Sequence, residues 1–126
     1  MKFKTTKQQM EYDTQVIWPL LKEILRDAEE FAIDNGCGDL TITSIFRTPE
    51  EDAELHGSGI HCIFRAADVR IPCWDDPKSL TLARYINAKY VYDSSRPTLL
   101  VAFMEPHGDG PHCHFQVSSF TKLRHK

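Results

Sequence analysis

Apolar residues recur at three- and four-residue spacing between about residues 14 and 35, as Ile17, Leu20, Leu21, Ile24, Leu25, Ala28, Phe31 and Ala32. That period puts them on one stripe of an amphipathic helix, and Asp34, Asn35 and Gly36 supply its stop. Pro19 fits a first helical turn but kinks an interior, so the helix either starts near Trp18 or bends there. At residues 40–46 the period shortens to two and β-branched residues enrich, which predicts a strand. Thr48 then reads as an N-cap, with Pro49 at the first helical position and Glu51 closing a capping box. A loop of Gly57, Ser58 and Gly59 leads to His61. Residues 65–71 read as a strand that Pro72 ends, and residues 76–92 as a helix with Leu80, Ala83, Ile86, Ala88 and Tyr90 turned inward. Residues 98–104 form a strongly apolar strand, residues 105–111 a loop rich in Gly and Pro, and residues 112–117 the returning strand of a hairpin. The basic tail after Ser118 is expected to fray.

Helix, strand, short helix, strand, helix and hairpin in that order predict an α+β fold, a small antiparallel sheet with helices packed on one face. At 126 residues the chain suits one domain, spanning residues 1–126, with its own apolar core. A net charge of −3 and a pI near 6.0 argue against a nucleic-acid-binding protein, which carries a basic face. No apolar run approaches the ~20 residues of a membrane span. The first nine residues are positively charged, with no apolar stretch behind them, so no signal peptide is expected and folding in the cytosol is. Cys37, Cys62, Cys73 and Cys113 form no C-x-x-C pair, and reduced, buried thiols are expected for all four.

The chemistry concentrates in two stretches. His61 and Asp68 are seven residues apart, one at the end of a glycine loop and one in a strand. Ala66 and Ala67 suggest a tight setting for Asp68, where a carboxylate needs a cation or hydrogen bonds. His112 and His114 share one face of a strand, while Cys113 between them points the other way, into the core. His61, Asp68 and one histidine of the pair would give a divalent zinc ion nitrogen and oxygen ligands, with a position left open for chemistry. Arg47, after a strand, offers a planar guanidinium for a carboxylate or carbonyl. Its structural alternative is an ion pair with Glu50 or Glu51. Glu105 and Asp109 precede the histidines and either could serve as a base for a metal-activated water, although Asp109 between two glycines is equally a turn residue. His56 and His107 read as loop residues, and His125 belongs to the tail.

Together Ser44-Ile-Phe-Arg47, His61-Cys-Ile-Phe-Arg-Ala66-Ala-Asp68 and His112-Cys-His114 resemble the motifs of the M15-type zinc peptidases. That group comprises D-Ala-D-Ala carboxypeptidases and L-Ala-D-Glu endopeptidases, whose fold is shared with hedgehog signalling domains. The family pattern runs Ser-x-x-Arg, Ser-x-His-x-x-Gly-x-Ala-x-Asp and a late histidine often within His-x-His. The resemblance covers about residues 40–117. It implies His61, Asp68 and His114 as zinc ligands, with His112 beside the metal and Arg47, together with Ser44, on the substrate side. Two departures stand out: Phe64 occupies the place of the family glycine, and Gly59 that of the serine. Many relatives carry an acidic residue three before the last ligand. Pro111 holds that place if His114 is the ligand, and Asp109 if His112 is. His114 is favoured as ligand and Asp109 over Glu105 as base.

The activity implied is hydrolysis of a peptide bond in peptidoglycan stem peptides by a zinc-dependent, monomeric enzyme, such as a phage lysis enzyme that reaches the cell wall after release. The alternative of a different class is a non-catalytic, metal-stabilised structural or wall-binding domain of the same fold, such as a phage tail component. A metal-dependent nuclease is a weaker rival, disfavoured by the acidic pI.

Overall fold

Alternation and helical period account for the central elements of the computed structural model, which describes residues 1–13, 17–45, 50, 64–72, 77–105 and 112–124. In chain order these are β1 (Lys2–Phe3), α1 (Thr6–Asp13), α2 (Pro19–Asp34), β2 (Thr41–Ser44), β3 (Ala66–Arg70), α3 (Pro77–Lys89), β4 (Tyr90–Val91), β5 (Ala102–Glu105), β6 (His112–Gln116) and β7 (Lys122–Leu123). Five strands form one sheet in the order β1-β2-β3-β6-β5, and β4 pairs with β7 separately. The main sheet is mixed rather than antiparallel throughout, because β1 joins β2 in parallel while β2, β3, β6 and β5 are mutually antiparallel. The class is α+β with helices packed against a small mixed sheet.

The Pro19 alternatives resolve at the helix start: α2 begins at Pro19, with Trp18 as its extended N-cap. There the missing proline N–H costs nothing, since first-turn donors have no helical partner. Leu21, Ile24, Leu25, Ala28 and Ala32 are fully buried along one face of α2. Each large apolar side chain so buried contributes about 1.5–3 kcal/mol. They meet Ile42, Val69, Cys113 and Phe115, the alternate residues of β2, β3 and β6 that point toward the helices. On α3 the inward face is Ser79, Leu82, Ala83, Ile86 and then Tyr90. Ala83, Ile86 and Tyr90 are buried as expected, whereas Leu80 and Ala88 are exposed, because the buried stripe runs through 79, 82, 83 and 86 at three- and four-residue spacing.

Other expectations are corrected at the ends of the chain. The N-terminal residues form β1 and α1, which no apolar stripe announces; Gln8 Oε1 accepts from the Thr5 backbone N–H at 2.7 Å, half of a capping box that holds the first turn of α1. The strand expected from residue 98 begins only at Ala102, since Thr98 and Pro97 lie in a turn and Leu99 and Leu100 are exposed. Asn87 of α3 then clasps the start of β5, donating to Ala102 O at 2.7 Å and accepting from Val101 N and Ala102 N at 3.1 and 3.0 Å. It thereby satisfies backbone groups on the open edge of the sheet. The tail does not fray at once: β7 pairs with β4, and Arg124 N donates to Lys89 O at 2.8 Å.

Cys37 is disulfide-bonded, against the expectation of four reduced thiols. Its partner lies outside the described residues. Cys113 is free and buried. No helix among the described residues is long and apolar enough to cross a membrane.

Candidate functional site

The register of the sheet assembles the site. Ser44 pairs with Asp68, Asp68 with His114, and His114 with Phe103, so these four make one row across β2, β3, β6 and β5. Directly opposed residues share a face. Alternation adds His112 and Gln116 of β6 and Glu105 of β5 to the same face. This is the face opposite the helices. Cys113 and Phe115, of the other parity, are fully buried in the core. Burial first, and the negative charge of Asp68 second, push the Cys113 thiol far above its ordinary range. A thiol on the core side and held protonated has no role as a ligand on the polar face.

Asp68 is only 4% exposed although it lies away from the helices. Its Oδ1 is 3.0 Å from His114 Nδ1 and 3.5 Å from His112 Nε2. One carboxylate oxygen thus faces two imidazoles, which removes most of the penalty of burying it. The Asp68 backbone is fixed as well, its carbonyl accepting from Thr43 Oγ1 at 3.2 Å where β2 bulges between Ile42 and Ser44. The other nitrogen of His114 lies 3.1 Å from Gln116 Oε1, and Gln116 Nε2 donates to Leu100 O at 2.8 Å. Phe103 covers the His114 ring, with centroids 4.8 Å apart.

Of the residues singled out from sequence, the structure brings together Ser44, Asp68, His112 and His114. Arg47, His61 and Asp109 lie outside the described residues. Glu105 was expected in the hairpin loop. It is instead the last residue of β5, directly opposite His112, because cross-strand pairing extends one residue beyond the apolar run. Gln116 and Phe103 were not singled out from sequence. Alternation could have found Gln116, since a polar residue two positions after His114 shares its face.

Atoms ligating one tetrahedral zinc ion through bonds of about 2.0–2.1 Å lie roughly 3.3 Å apart. The 3.0 Å between Asp68 Oδ1 and His114 Nδ1, the two expected ligands among the described residues, is a few tenths of an ångström shorter. The donor types, imidazole nitrogen and carboxylate oxygen, also suit zinc. Yet among the described residues no group of three or more His, Cys, Asp and Glu side chains is placed to hold a metal ion. Asp68 and His114 thus offer two donors of a type that suits zinc, short of a complete set among the described residues. No family model, no curated protein and no solved structure matches the chain.

Proposed function

We propose that the chain is a zinc-dependent peptidase acting on peptidoglycan stem peptides, with His61, Asp68 and His114 as metal ligands. The observation that carries this reading is the convergence of His114 Nδ1 and His112 Nε2 on one buried oxygen of Asp68. A second support is the backbone at Phe64. Its φ of 60° lies in the left-handed region that favours glycine, and it stands where the M15 pattern has glycine.

A zinc ion held by His61, Asp68 and His114 would supply Lewis acidity toward water and a substrate carbonyl. The protein's own residues do the rest. His112 sits beside Asp68 to steady negative charge on the attacked carbonyl, and Arg47 and Ser44 position the substrate. A well-placed donor of this kind contributes on the order of 3 kcal/mol in other enzymes. Glu105 or Asp109 takes the proton from water and returns it to the leaving amine. Glu105 gains weight from its place opposite His112. The disulfide at Cys37 supports work outside a reducing cytosol, as expected of an enzyme that meets the cell wall after release.

The test is mass spectrometry of purified peptidoglycan digested by the zinc-loaded protein, with His61→Ala as control. New fragments should appear with the wild type alone, and their masses name the cleaved bond. Glu105→Gln and Asp109→Asn in the same assay assign the base, whose loss should cost about 10²–10⁴-fold in rate. Zinc that binds and is lost in His61→Ala, with no fragments released, would replace the enzyme with the metal-stabilised structural domain.

A further inference from the structure

Gln116 is the residue of the polar face whose hydrogen bonds carry chemical information beyond position. A carboxamide has one end that only accepts and one that only donates. Leu100 O can only accept, so the end of Gln116 that lies 2.8 Å from it is the amino group. That turns Oε1 toward His114 Nε2, 3.1 Å away. Since Oε1 can only accept, His114 Nε2 must carry a proton. Flipping the amide would set two acceptors against each other at Leu100.

We infer that Gln116 is a positioning residue that fixes the proton of His114 on Nε2 and so makes Nδ1 the nitrogen that faces a bound metal. This rests on the metal reading for what Nδ1 faces, though the proton assignment stands on the hydrogen bonds alone. With Nε2–H given to Gln116, a neutral His114 presents the lone pair of Nδ1 to Asp68 Oδ1, 3.0 Å away. Two lone pairs at that distance repel unless a cation or a second proton joins them. The junction of Asp68 and His114 therefore favours a positive charge, a proton or a metal ion alike. Partners that orient a ligating histidine through its other ring nitrogen raise metal affinity about 10–100-fold. The anchor, Leu100 O, belongs to the segment before β5, so the end of that turn sets the ring's tautomer two strands away from Asp68.

The experiment is a proton–nitrogen correlation spectrum of the imidazoles in ¹⁵N-labelled full-length protein, recorded with His114 neutral, before and after zinc chloride. Wild type should show the proton on Nε2, with zinc shifting Nδ1 alone. In Gln116→Leu the proton should move to Nδ1, drawn by Asp68, and zinc affinity should fall about 10–100-fold. Gln116→Glu keeps an acceptor and should restore the wild-type pattern, which a merely structural role would not require. A wild-type spectrum with Nε2 unprotonated overturns the inference even if Gln116→Leu fails to fold. So does a folded Gln116→Leu protein with the wild-type spectrum, or zinc bound through Nε2. Zinc that moves neither nitrogen, while the proton still follows Gln116, overturns the metal reading and leaves the proton assignment standing.

Discussion

At Phe64 a phenylalanine holds a backbone angle that costs an L-residue roughly 1–2 kcal/mol. Core packing and a backbone bond help hold it there. Its ring packs against the core, and its carbonyl accepts from Trp18 N at 3.2 Å, tying the entry of β3 to the start of α2. Replacing Phe64 by Ala removes the ring and keeps the strain, whereas Gly removes both. Elsewhere Gly is the less stable of the two by about 0.5–1 kcal/mol, through the entropy of the unfolded chain. Here the order should invert, with Phe64→Gly more stable than Phe64→Ala by about 1 kcal/mol in urea unfolding. An Ala variant more stable than the Gly variant would show that the backbone at this position is not left-handed in solution. Sequence exposed the identity of this residue as a departure from a pattern but not its angle, because φ is set by tertiary ties such as the one to Trp18. The same limit applied at Asp68. Its neighbours Ala66 and Ala67 announced burial, while the meeting with His112 and His114 depends on a register that local pattern does not specify.

Elements with a long period were legible, and those held by distant pairing were not. The stripe of α2 and the alternation of β3 and β6 follow from residues that repeat within a few positions. β4 and β7 are two residues each, and Tyr90 finds Leu123 across the chain. No local pattern encodes such a pair. The clasp between α2 and the end of α3 was equally hidden. Asp27 accepts from Lys89 Nζ at 2.9 Å and from the Tyr90 hydroxyl. The Tyr90 pKa is raised, by burial first and by the bond to Asp27 second. That of Lys89 is raised chiefly by its bond to Asp27. Both groups bind their proton more tightly folded than unfolded. Their contribution is thus fully present below the unfolded values, near 10 for Tyr and about 10.4 for Lys, and is lost as pH rises beyond them. The urea midpoint of the wild type should fall as pH climbs above about 10. Tyr90→Phe should be less stable at neutral pH, by about 1.5–3 kcal/mol for a hydrogen bond to a charged group, and should lose stability less steeply in alkali. Parallel pH profiles for the two proteins would remove Tyr90 from the alkaline transition.

For the molecule as a whole, the sheet divides the labour. One face buries the side chains that α2 and α3 cover, and the other carries Ser44, Asp68, His114 and Phe103 in a row. What fixes the row is therefore the fit of helices on the far side, together with the ties at the ends of α2. One tie is the turn after α2, where Cys37 N donates to Ala32 O at 2.7 Å and a side chain at Gly38, whose φ is +92°, would meet Pro72 Cγ at 3.9 Å. This turn packs beside the exit of β3, the strand that bears Asp68. The disulfide at Cys37 lies in the same turn, and a native disulfide stabilises by about 2–4 kcal/mol, chiefly by restricting the unfolded chain. Reduction should lower the Tm by on the order of 10 °C, given about 2–8 °C per kcal/mol for domains near this size. Cys37→Ser without reductant should match the reduced wild type. Cys113 offers no competing thiol, since it is buried and held protonated. Thiol counting in denaturant establishes that reduction was complete. A fully reduced wild type with an unchanged Tm would mean that the helices and the sheet hold the turn without the bond.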